Sequence, residues 1–143
     1  MLVIGIMSIL TSLAIAAYFD YTKRTRMVEV MVAAGSCRNP VFEAYYFGRQ
    51  PDPGEWGCET GSEPWSELVQ SISVDPNGKI IVVAQGFGDD DIDGKVLTLT
   101  PLVDGELADI ATDKGKSLGW RCGDPADGTT IHPNFVPSSC RGQ

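Results

Sequence analysis

The chain is predicted to be an α+β protein: a long N-terminal helix packed on a four-stranded antiparallel sheet. Three observations carry this. Residues 1–19 hold no charged side chain, and the following stretch continues helical without a breaker. An Asn77-Gly78 pair separates two β-branched runs, and a third run at 95–101 alternates with period two.

The apolar run MLVIGIMSILTSLAIAAYF is long enough to cross a bilayer, since nineteen helical residues span about 28 Å against the ~30 Å of a hydrocarbon core. A secretory leader would carry its cations first and a shorter apolar segment. Here Lys23, Arg24 and Arg26 come after it. From Asp20 to Ala34 the sequence turns amphipathic. Tyr21, Arg24, Met27, Val28, Met31, Val32 and Gly35 are expected on one face, and Lys23, Arg26 and Glu29 on another. The helix is expected to run to about residue 47, with a bend near Pro40 and termination at Gly48.

The remaining ~95 residues suffice for one small core. The expected organisation is 1–47 helix, of which 1–19 is membrane or filament core, then 48–143 head. Within the head, 48–70 reads as loop, 71–122 as antiparallel sheet and 122–140 as a disulfide-closed C-terminal region. In detail, residues 48–63 are a Gly- and Pro-rich loop and 64–69 a short helical turn. Strands are expected at 71–74, 79–85, 95–101 and 117–122, with a polar loop over 104–115 and an irregular tail.

A net charge of −8 and a pI near 4.4 disfavour non-specific nucleic-acid binding. Cys37, Cys58, Cys122 and Cys140 lack the close pairing of a zinc site and, with one histidine present, read as disulfides on an oxidising side of a membrane. Four cysteines allow three connectivities, and spacing does not choose among them. The sequential one would close two loops of about 20 residues, each worth roughly 3 kcal/mol in the chain-entropy account.

Asp89, Asp91, Asp93 and Gly94 match the first half of an EF-hand calcium loop, but the twelfth position is Thr100 and not a bidentate glutamate. A solvated acidic turn is the better expectation, with calcium the weaker one. His132 has no nucleophile that the sequence places beside it, so no catalytic residue and no cofactor are expected. The aromatics Tyr18, Phe19, Tyr21, Phe42, Tyr45, Tyr46 and Phe47 read as packing groups.

Taken in order, the apolar helix ending in Ala16-Ala17-Tyr18-Phe19-Asp20-Tyr21-Thr22, the Asn77-Gly78-Lys79-Ile80 hairpin and the Gly94–Pro101 strand carry a resemblance. With the Trp120-Arg121-Cys122 and Phe135–Arg141 segments, they make the chain resemble a type IV pilin, of the major, type IVa-like kind. The resemblance covers nearly the whole length. It implies that about six residues, a methylated phenylalanine and a glutamate among them, precede Met1. Many members also carry a proline where this sequence has Ala16.

The resemblance further implies a structural subunit that forms a homo-oligomeric helical filament after a stage in the bacterial inner membrane. Pilus assembly machinery would be a partner, the extracellular pilus the destination, and adhesion, twitching motility and DNA uptake the roles, without sequence-specific nucleic-acid binding. Leu2, Ile4, Ile6, Ile9, Leu10, Leu13, Ile15 and Tyr18 would pack the filament core. A minor pilin or type II secretion pseudopilin is the alternative within this fold, and a membrane-tethered periplasmic binding module the alternative outside it. Loops 48–63, 103–116 and 123–139 are the expected outward surfaces.

Overall fold

A computed structural model of the chain describes residues 1–142. Helix α1 spans Leu2–Ser36 and helix α2 spans Arg38–Phe47, separated by Cys37 alone. The sequence leads one to expect a bend at Pro40, and the break lies three residues earlier. A proline at 40 has no N–H for the Ser36 carbonyl and crowds it, so the preceding turn adjusts. Cys37 stays close to helical, with φ −83° and ψ −8°. The helix ends at Gly48 in the left-handed region, φ 63°.

The strands are β1 Val69–Val74, β2 Ile80–Ala84, β3 Val96–Val103, β4 Glu106–Leu107 and β5 Gly119–Cys122. All pairings are antiparallel. Leu99 lies opposite both Ile80 and Cys122, and Leu102 opposite both Leu107 and Gly119, so β2 and β4 line one edge of β3 and β5 the other. The four expected strands are present. The two-residue β4 lies in what the sequence suggested was wholly loop, paired to β3 across an Asp104-Gly105 turn. Residues 65–68 form bends in place of the helical turn expected over 64–69, and Val69 already belongs to β1. The tail contains three short 3-10 turns.

One core lies between helix and sheet. Ile80, Val82 and Ala84 alternate inward along β2 and meet Met27, Val30, Ala33, Ala34, Val41 and Tyr45 from the helices. These positions recur at three and four residues and keep phase through Cys37. The inward stripe differs from the one expected. Met27 is inside, but Tyr21, Val28 and Val32 face solvent, and Val30, Ala33 and Ala34 take the interior. The tail backs β3: the Thr129 hydroxyl accepts from the Thr98 N–H at 3.1 Å, and that of Thr130 from Val96 at 2.8 Å. On the far edge, Thr60 and Glu59 side chains accept from the β1 N–H groups of Ile72 and Val74 at 2.9 Å each, blunting an otherwise open strand.

Candidate assembly surface

The first half of α1 leaves the head entirely. Leu2, Ile4, Ile6, Ile9, Leu10, Leu13, Ile15 and Tyr18 are all more than half exposed. Fully covering a large apolar side chain stabilises by about 1.5–3 kcal/mol, so eight amount to roughly 12–24 kcal/mol left unrealised in water. Polar groups within this segment are already satisfied. The Ser8 hydroxyl donates to the Gly5 carbonyl at 2.9 Å, Thr11 to Met7 at 2.8 Å and Ser12 to Ile9 at 2.8 Å. Such back-bonding lets hydroxyls enter lipid or a packed helix bundle without a stranded donor.

Where the rod meets the head, side chains distant in sequence fasten it. Lys23 Nζ reaches Asp89 Oδ2 at 2.5 Å and lies 5.7 Å from the Phe135 ring centre. Arg24 donates to the Asn134 carbonyl at 2.9 Å, and the Ser66 hydroxyl donates to Glu29 at 2.6 Å. Nothing local announces these contacts, whose partners lie 66, 110 and 37 residues apart.

Asp89, Asp91 and Asp93 sit in one turn, but two of the three carboxylates serve the chain itself. Asp93 accepts from the N–H groups of Phe87 and Gly88 at 2.8 and 2.9 Å. Asp89 accepts from the Asp91 N–H at 2.9 Å and from Lys23, whose hydrogen bond holds its carboxyl below the ordinary value. The turn shapes a lock for the neck. Among the described residues no group of three or more His, Cys, Asp or Glu side chains is placed to hold a metal ion. His132 is exposed, and its Nδ1 accepts from the Asn134 N–H at 3.2 Å to cap a 3-10 turn.

Cys37 bonds Cys58 and Cys122 bonds Cys140, the sequential connectivity of the three open to the sequence. The first bridge ties loop 48–63 to the helix junction. The second ties the tail to the last strand. Phe42, Tyr46 and Phe47 form an exposed aromatic group on α2, with Phe42 and Tyr46 stacked at 6.3 Å between ring centres.

A bare apolar rod on a disulfide-tied head is the build of a filament subunit. The pilin family, described as a bacterial filament protein, matches residues 23–141. Fimbrial protein EcpC of Eikenella corrodens is 31% identical over 99% of this chain and 85% of its own length. A fimbrial protein of Neisseria meningitidis serogroup B is 30% identical, covering 99% and 89%. The type IV major pilin protein PilE1 of Neisseria gonorrhoeae is 28% identical over 99% and 88%. The chain belongs to the pilin family. The resemblance to type IV pilins drawn from its residues is borne out, and its role is that of a structural pilus subunit.

Proposed function

We propose that this chain is the repeating subunit of a type IV pilus and polymerises by laying Leu2, Ile4, Ile6, Ile9, Leu10, Leu13, Ile15 and Tyr18 against the same helices of neighbouring copies. The observation that carries this is the wholly exposed apolar rod. Returning the rod from the filament to water would forfeit up to roughly 12–24 kcal/mol by the side-chain count above, and this holds an assembled subunit in place. Before assembly the same rod rests in the inner membrane, where length and composition suit it. Handing it from lipid to other helices keeps it dry throughout. The role is mechanical and not enzymatic; assembly machinery draws the subunit from the membrane, and the pilus outside the cell is its destination.

Ile6→Asp places a carboxylate in that contact without touching the head. Cells carrying it are expected to release no filaments on shearing, while the detergent-solubilised variant melts like the native chain. Filaments at native yield would overturn the reading.

A further inference from the structure

A groove of about 630 Å³ lies between the end of α2 and the loop that follows it. That volume falls within the roughly 300–1,000 Å³ of ligand-binding clefts. Buried Trp56 and half-buried Pro40 and Pro51 line it together with the exposed Phe47 ring. Its walls are held from several sides. The Arg49 N–H donates to the Ala44 carbonyl at 3.0 Å, the Glu55 N–H to the Asp52 carbonyl at 2.9 Å, and Gln50 Nε2 to the Pro76 carbonyl at 3.0 Å. The Cys37–Cys58 bridge fastens the loop two residues after Trp56. A groove fixed in this way loses little conformational freedom when a ligand enters it.

Two features of the groove are unspent within the chain. Trp56 is 3% exposed, and its indole Nε1–H has no acceptor among the described residues. A buried indole donor ordinarily finds a partner, because leaving water without a replacement hydrogen bond is costly. The second feature is charge. Glu43, Asp52 and Glu55 are exposed lining residues, with Arg49 the one cation among them. None of the four takes part in an ion pair among the described residues. Three carboxylates against one guanidinium leave the lining negative, on a chain whose net charge is already −8.

Together these features define what fits. A cation relieves the carboxylates, an oxygen acceptor satisfies the indole, and an apolar ring or stem covers the prolines and Phe47. An extended peptide containing proline with lysine or arginine carries all three. Such peptides adopt the polyproline conformation, whose carbonyls have no internal hydrogen bonds, and aromatic-lined grooves read them. A neutral sugar would serve the indole but leave the carboxylates facing one another. An acidic ligand would be repelled.

We propose that the groove between Glu43 and Trp56 binds a basic, proline-containing segment of another protein, with its cation among Glu43, Asp52 and Glu55 and a backbone carbonyl on the Trp56 indole N–H. The site lies on α2 and the loop after it, away from the bare rod, and does not depend on the filament reading.

The test uses the full-length chain in detergent micelles and a fluorescein-labelled peptide of repeated Lys-Pro-Pro, read by anisotropy at low salt, with proton NMR of the tryptophan indoles alongside. The peptide is expected to bind and to move one indole signal, the one absent from Trp56→Phe. Asp52→Asn combined with Glu55→Gln is expected to weaken binding about tenfold, and Trp56→Phe about three- to tenfold. Arg49→Gln, which removes the competing cation, is expected to tighten it about twofold. Melting of each variant checks that the head is intact; should Trp56→Phe melt early, the exposed carboxylate pair decides. Undiminished binding by that pair, no binding by the native chain, or equal binding of a Glu-Pro-Pro peptide would overturn the proposal. So would lactose moving the Trp56 indole signal while the basic peptide leaves it in place, which would make the groove a sugar site.

Discussion

Lys23 and Asp89, 66 residues apart, close a 2.5 Å ion pair between the helix and the acidic turn after β2. It stands just above the apolar rod and fastens the helix to the head there. Its hydrogen bond to Asp89 raises Lys23 above its ordinary 10.5, and the same bond, with the Asp91 N–H, lowers Asp89 below its ordinary 3.8.

The pH dependence follows from these directions. Asp89 is depressed by folding, so its contribution is complete above 3.8 and disappears as pH falls through the lowered folded value. Lys23 is raised, so its contribution is complete below 10.5 and is lost as pH climbs through the raised value. The melting difference between native chain and Asp89→Asn should be flat from about pH 5 to 9 and shrink in stronger acid. A difference that grows on acidification would show that the pair does not act this way.

Arg121 grips Asp127 with Nε at 2.8 Å and a terminal nitrogen at 2.6 Å, and Asp127 is nearly buried. Asp127→Ala removes both bonds and leaves Arg121 the longer contact to Asp124, 3.5 Å from its Nε. A loss of about 1–3 kcal/mol is expected, read as a lower urea midpoint at unchanged slope. A midpoint equal to the native one would mean that water replaces the carboxylate without cost.

Cys140→Ser opens the bridge to Cys122, whose partners are 18 residues apart. About 3 kcal/mol should be lost, lowering the head's melting temperature by ten degrees or more under non-reducing conditions. An unshifted melt would show that the tail is held by other contacts, such as Arg141 Nε to the Val136 carbonyl at 2.9 Å.

Gly86 sits at φ +76°, and a Cβ there would come 2.2 Å from the Glu67 carbonyl oxygen. Backbone cannot swing aside as a side-chain end can. Gly86→Ala should therefore destabilise by about 2–4 kcal/mol, whereas Gly88→Ala, which has a similar φ but open space, should cost only ~1 kcal/mol. Chemical unfolding of the two variants side by side checks the difference; equal losses would remove the steric argument.

Much of the molecule was legible from local rules. The uncharged run of 1–19 can form only one kind of element, and the Asp75-Pro76-Asn77-Gly78 turn closes as read, with the Gly78 N–H on the Asp75 carbonyl at 2.9 Å. The tiny β4 escaped because two residues, Glu106 and Leu107, are too few to carry a periodic signal, and the 64–68 segment because Pro64 marks a helix start only when the turn after it is helical. Reading the helix break at Pro40 missed it by three residues, since proline disturbs the turn before it.

The sequence alone determines that a helix forms, that its first half must leave water, that hairpins follow and that four cysteines are spent on bridges, because each depends on neighbours within a few residues. The connectivity Cys37–Cys58 and Cys122–Cys140, the Lys23–Asp89 neck and the rotation that turns Val30 inward and Val32 outward were decided by the tertiary structure. A helix with apolar residues on two faces can rotate either way in isolation. Only the sheet beneath it, where Ile80 and Val82 face the helix, selects which face is covered and which stays exposed.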